Sequence, residues 1–458
     1  MKKTRFLSAL MAVIVMFGAA GCGSSDNSGG STGPSPRLKS DAGASNGADV
    51  KADDAGEAAP EAETAEDFAG KTADGEFTAE AAEGDMKTAD IAMDGLTAAA
   101  EGDAAKGADA EPSGETNGDA AVQLPEAGQL TAGEWNDNLN WGFFTNLVNS
   151  QAIGFPSFGI DPRFRTAVTV TTADGAAVPN AKVRLLDADG KVIWNAVADK
   201  NGTAYLFGQN GVKVEVVSGG ATSTFEVKAL TSDEQSGEMS GSREVSAVIE
   251  DAGKLYKETE IMFIVDTTGS MGDEMTFLQS EFSAITQAVG TDNIKYAVNF
   301  YRDEGDDYVV KTNPFTSNVS DLQALLNKEW ADGGGDFPEA VAEALDESIV
   351  KAEWSEESVK IAFLIFDAPP HDGKEEMLLQ AAKAAAEKGI RLVPVVSSNA
   401  DRSTELFGRA ISIVTGGTYV FLTDDSGIGG SHLEPIIGSY EVEKLYDLII
   451  RVINNYKQ

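Results

Sequence analysis

The chain has 458 residues, with 74 Asp and Glu against 35 Lys and Arg and a formal net charge of −39. A surface of that sign repels phosphate backbones, which argues against nucleic acid as a partner. With one cysteine and two histidines, an internal disulfide is excluded and zinc is disfavoured, so metal chemistry would have to run on oxygen donors.

The N-terminus opens Met1-Lys-Lys-Thr-Arg, continues through an apolar run from Ala9 to Phe17, and ends on small residues up to Gly21. This predicts an export signal over residues 1–21, with an apolar core too short to remain as a spanning helix. Cys22 follows Ala19-Ala-Gly directly, and this junction resembles the lipobox of bacterial lipoproteins, although Ala19 stands where that motif usually has Leu. The resemblance implies an acylated Cys22 and an exported, lipid-anchored protein at the outer membrane or cell surface, touching the membrane through the anchor only. Residues 22–123 are mostly Ala, Gly, Asp, Glu, Thr and Ser, with Phe68, Phe77 and Leu96 isolated among them. Ordering such a chain costs about 1–2 kcal/mol per residue in backbone entropy with little to bury, so it is expected to be a disordered acidic linker.

Residues 124–163 form an aromatic lead-in. Within it Thr131 and Glu134 have the spacing of a capping box and predict a helix start. Residues 164–250 read as short strands separated by turns such as Asp174-Gly175, Asp189-Gly190 and Asn201-Gly202, which predicts a small antiparallel all-β sandwich. The stretch Val178-Pro-Asn-Ala-Lys-Val-Arg-Leu185 with Asp199-Lys-Asn-Gly-Thr-Ala204 resembles carboxypeptidase-regulatory-like surface sandwiches, which implies a spacer or presenting scaffold.

Over residues 258–457 the periodicity changes. Near-continuous apolar runs at Ile261–Val265, Tyr296–Phe300, Ile361–Phe366, Ile390–Val395 and Tyr419–Leu422 alternate with amphipathic segments. This predicts an α/β fold with a doubly wound, mostly parallel sheet covered on both faces, whose ligands bind at the carboxyl ends of the strands. At the end of the first of these strands, Ile261-Met-Phe-Ile-Val-Asp-Thr-Thr-Gly-Ser-Met271 places Asp266, Thr268 and Ser270 at alternate positions. A carboxylate and two hydroxyls at a strand-to-loop break form a hard-cation site in outline. Asp367 follows a second inferred parallel strand and therefore reaches the same edge, while Gly333-Gly-Gly335 permits close backbone approach.

This C-terminal part resembles the von Willebrand factor type A domain over nearly all of residues 258–457. The resemblance implies a metal-ion-dependent adhesion site in which Asp266, Thr268 and Ser270 match the Asp-x-Ser/Thr-x-Ser signature and Asp367 the later aspartate. A further loop supplies a Thr in that family; here Asp336 stands at the corresponding place. The cofactor is then Mg²⁺, Ca²⁺ or Mn²⁺, with Asp336 either a direct ligand or one acting through water. Asp303, Glu339 and His371 fall nearby, although a polar loop, a helix start and a rigid Pro-Pro-His turn account for them as well. The expected function is metal-dependent binding of a protein or surface polymer that offers a carboxylate. Two other readings stay open, a structural envelope module with a structural metal and a metal-dependent hydrolase. A hydrolase needs a nucleophile with an adjacent base, and no histidine lies near Ser270 in sequence, so no catalytic residue is assigned.

Overall fold

A computed structural model of the protein describes residues 130–150, 158–230, 242–427 and 430–457. The expected signal peptide, Cys22 and the acidic linker lie outside the described residues. The chain begins with β1 (Thr131–Trp135) and α1 (Trp141–Asn149). Seven strands follow: β2 (Arg165–Thr171), β3 (Lys182–Leu186), β4 (Val192–Val197), β5 (Thr203–Phe207), β6 (Lys213–Ser218), β7 (Ala221–Glu226) and β8 (Arg243–Val248). They form two small sheets, β5-β2-β8 and β4-β3-β6-β7. Alternating side chains such as Val183, Leu185, Val214 and Val216 fill the space between them. One pairing departs from the antiparallel expectation: β8 runs parallel to β2, because the chain arrives from β7 in the opposite sheet rather than through a hairpin.

The larger unit contains β9 (Glu258–Asp266), α2 (Gly272–Val289), β10 (Ile294–Tyr301), β11 (Val310–Lys311), α3 (Val319–Leu326) and α4 (Val341–Leu345). It continues with β12 (Ser358–Phe366), α5 (Glu375–Lys388), β13 (Ile390–Val396), α6 (Arg402–Thr415), β14 (Tyr419–Thr423), β15 (Glu443–Lys444) and α7 (Leu445–Tyr456). The sheet order is β11-β10-β9-β12-β13-β14-β1-β15, and β10, β9, β12, β13 and β14 are mutually parallel. Central strands are apolar on both faces because both are covered. Ile261, Phe263 and Val265 pack with Phe282 of α2, Leu322 of α3 and Ile449 of α7. Met262 and Ile264 face the other core, with Leu378 of α5, Phe407 of α6 and the sandwich residues Val183 and Leu185.

The helix expected to start at Thr131 is instead a strand. β1 pairs antiparallel with β14, Thr131 opposite Thr423 and Trp135 opposite Tyr419, and on its other side with β15. The sandwich thus lies, in sequence, between one strand of the large sheet and the rest of it. Where the two units meet, at the amino ends of the parallel strands, the Arg391 guanidinium donates to the Val197 carbonyl at 2.8 Å. A cavity of about 580 Å³ in this junction is lined by Tyr205, Lys360, Arg391 and Tyr456 among others.

Candidate metal centre

Asp266 is the last residue of β9, and β12 lies beside it in register, Val265 opposite Ile365. Asp367, the first residue beyond β12, therefore reaches the same edge. Both are buried. Past Asp266 the chain folds over its own carboxylate: Asp266 Oδ1 accepts the Thr268 N–H at 2.9 Å and the Thr268 hydroxyl at 2.7 Å. A short 3₁₀ turn, Gly269–Met271, then leads into α2 and leaves Ser270 exposed at the rim. The second oxygen, Asp266 Oδ2, is buried and makes no hydrogen bond of ordinary length among the described residues, with only the equally buried Tyr301 hydroxyl near enough to favour its charge. A carboxylate oxygen so placed in a protein interior calls for a counter-charge.

A third loop closes over this turn. Gly269 N–H donates to the Gly333 carbonyl and Asp332 N–H to the Thr267 carbonyl, while Gly334 N–H donates to Asp306 Oδ2 at 2.9 Å. Gly334 has φ +76°, and a Cβ there would lie 3.0 Å from Glu339 Oε1 and 3.3 Å from Thr268 Cβ. Only glycine lets the loop pass so close. The result is a cleft of about 270 Å³ lined by Thr268, Ser270, Asp336, Glu339 and Asp367 among others, so residues from three separate loops meet in one place. Within it Asp336 is exposed and Glu339 is only 4% exposed. Asp303 and His371 do not line the cleft; they pair with each other just outside, Asp303 Oδ1 to His371 Nε2 at 2.6 Å.

The electrostatics are those of crowded acids. Burial, then the charge of Asp367, raises the Asp266 carboxyl above the ordinary range. Burial also raises Asp367, opposed by the Ser270 hydroxyl and reinforced by Glu274. Glu339 is pushed up to about 9, first by burial and then by Asp266, Asp303, Asp367 and Asp306. No three His, Asp or Glu side chains among the described residues are grouped as a metal cage; of the strand-end carboxylates Asp367 lines the cleft with the Thr268 and Ser270 hydroxyls, while Asp266 does not line it and is reached through Thr268, which it holds by a hydrogen bond. That donor set fits a hard divalent cation, and the buried Asp266 oxygen is the feature an ion would satisfy.

One constellation at this edge escaped the sequence reading. Ser398, just past β13, places its Oγ 3.1 Å from His432 Nε2, and His432 Nδ1 lies 2.7 Å from Asp424 Oδ1. The order Ser, His, Asp suggests a nucleophile, but Ser398 is 2% exposed, and its N–H and hydroxyl both donate to Glu274 Oε1, at 3.0 and 2.8 Å. Its proton is committed to a carboxylate and its N–H is not free to stabilise an oxyanion. The group instead fixes Glu274 near Asp367. Because His432 is 34 residues from Ser398, no local spacing announces the contact.

Comparison with known proteins falls on the same region. Residues 260–428 match the family model of the von Willebrand factor A domain. An ariadne-like RING finger protein of Acanthamoeba polyphaga mimivirus is 26% identical over 185 residues, covering 36% of this chain and 18% of that protein. The chain thus matches less than a fifth of the length of that relative. Among solved structures, BatB from Bacteroides thetaiotaomicron shares 19% identity over 43% of this chain and 98% of its own, with a TM-score of 0.32. An aerotolerance-related membrane protein from Bacteroides fragilis shares 18% over 43% and 99%, with a TM-score of 0.30. The Asp-x-Thr-x-Ser turn and the family match coincide on one segment, and residues 260–428 form a von Willebrand factor A domain.

Proposed function

We propose that the protein is a non-enzymatic, divalent-metal-dependent binding protein, exported and held at the membrane or cell surface through Cys22. Its von Willebrand factor A domain would capture a protein or surface polymer that presents a carboxylate. The observation that carries the reading is the buried Asp266 Oδ2, without a hydrogen bond of ordinary length among the described residues, below a cleft to which Thr268, Ser270 and Asp367 contribute oxygens. When bound, Mg²⁺, Ca²⁺ or Mn²⁺ supplies a Lewis-acidic centre for an incoming carboxylate. Asp266 and Asp367 supply the charge, Thr268 and Ser270 the neutral donors, and the hydrogen bonds from Thr268 hold Asp266 in place.

The test compares capture of surface ligands by the full-length protein with and without chelator, and by Asp367→Ala. Binding that disappears in both cases while circular dichroism is unchanged supports the proposal. A fall in thermal stability with capture intact would instead assign the ion a structural role, and turnover abolished in Asp367→Ala would mark a hydrolase.

A further inference from the structure

We infer that Glu339 is the third carboxylate of the ion site and that Asp336 is not. This rests on the reading that the cleft holds a divalent cation, and it identifies which of two acids three residues apart completes the set.

The two differ in how the fold treats them. Asp336 is exposed at the end of the glycine run and loses little by remaining in water. Glu339 is 4% exposed, and its Oε2 is buried with no hydrogen-bond partner among the described residues. Its backbone is tied to the loop that carries Asp367: the Glu339 N–H donates to the Pro369 carbonyl at 3.0 Å, and Glu339 bridges to Pro370. Its Oε1 abuts Gly334 at the point where Thr268 also abuts it. One main-chain link therefore sets Glu339 beside Asp367, and one glycine contact sets it beside Thr268. A carboxyl buried at such a point must either keep its proton or meet a cation, and the nearby basic side chains are already engaged. His371 is bonded to Asp303, and Lys374 pairs with Glu304 and Glu343. The three carboxylates are not drawn together as a cage among the described residues; a hard divalent ion shared with Asp266 and Asp367 would supply the missing charge and take the place of the proton on Glu339.

The experiment is calorimetric titration of the full-length protein with Mg²⁺ and with Ca²⁺, repeated for Glu339→Gln and Asp336→Asn. Tb³⁺ luminescence lifetimes in H₂O and D₂O then count the waters on the bound ion. Glu339→Gln is expected to weaken ion binding by about tenfold or more and to add about one water to bound Tb³⁺, whereas Asp336→Asn changes the affinity by less than about threefold. Thermal unfolding in chelator controls for folding, and Glu339→Gln should unfold no earlier than the wild type. Wild-type protein that binds none of these ions would remove the metal reading itself. Wild-type binding matched by Glu339→Gln would overturn the present inference alone, as would a tenfold loss in Asp336→Asn.

Discussion

Crowding acids in one cleft gives the fold a pH dependence of definite sign. Glu339 is held at about 9 against an ordinary value of 4.5, so over that interval the folded chain keeps a proton that the unfolded chain has released. Its contribution to stability is fully present below the lower value and is lost as pH rises toward the upper one. Asp266 and Asp367 are shifted in the same direction. In chelator, Tm is expected to fall between about pH 6 and about pH 9, and saturating Mg²⁺ should flatten the slope because the ion takes the place of the protons. Differential scanning calorimetry at several pH values checks this, and a Tm that rises through that range without metal would contradict it. Asp266, Thr268, Ser270 and Asp367 were legible in sequence because a strand end and a five-residue spacing determine where they go. Glu339 could be placed near the site but not ranked above Asp336: that choice depends on how the 333–339 loop crosses the Asp367 loop, which spacing does not encode. The link from Ser398 to His432 was invisible for the same reason.

At the scale of elements, the parallel strands and most helices could be read from apolar runs and their spacing, since near-continuous hydrophobicity in a short run leaves few alternatives to a strand buried on both faces. β1 was misread because Thr131 and Glu134 satisfy a helix-capping pattern locally, while the two neighbours that make the segment a strand lie nearly 300 residues downstream. What anchors the turn after it is also non-local. Arg409 of α6 meets Asp137 through two hydrogen bonds, Nε to Oδ2 at 2.9 Å and an NH₂ group to Oδ1 at 2.8 Å. Both side chains are fully buried, and Trp135 Nε1 donates to the same carboxylate at 3.0 Å. Asp137→Ala would leave the guanidinium paired only with Glu405 and is expected to cost about 3–5 kcal/mol in chemical denaturation. Asp137→Leu combined with Arg409→Met should recover much of that loss, and a single variant as stable as the wild type would show that the pair contributes nothing.

For the molecule as a whole, the family match at residues 260–428 understates what the fold requires. The large sheet takes β1 from upstream of the sandwich, so a fragment starting at residue 258 would lack a strand, expose the edge of β14 and leave Arg409 without Asp137. Such a fragment is expected to aggregate or to exchange its β14 amides rapidly, whereas a fragment starting at residue 124 should be monomeric and cooperative. Size-exclusion chromatography with hydrogen exchange distinguishes the two.

The direction of β1 has a mechanical corollary. It runs antiparallel to β14, with Thr131 beside Thr423, so the polypeptide enters this sheet at the same rim that carries Asp266. Tension between the upstream chain and a molecule gripped at that rim would act on the same ends of the strands, so it would peel β1 from its neighbours pair by pair, starting at Thr131 and Thr423. The sandwich would lie outside the load path, free to present its own surface while the sheet bears the pull.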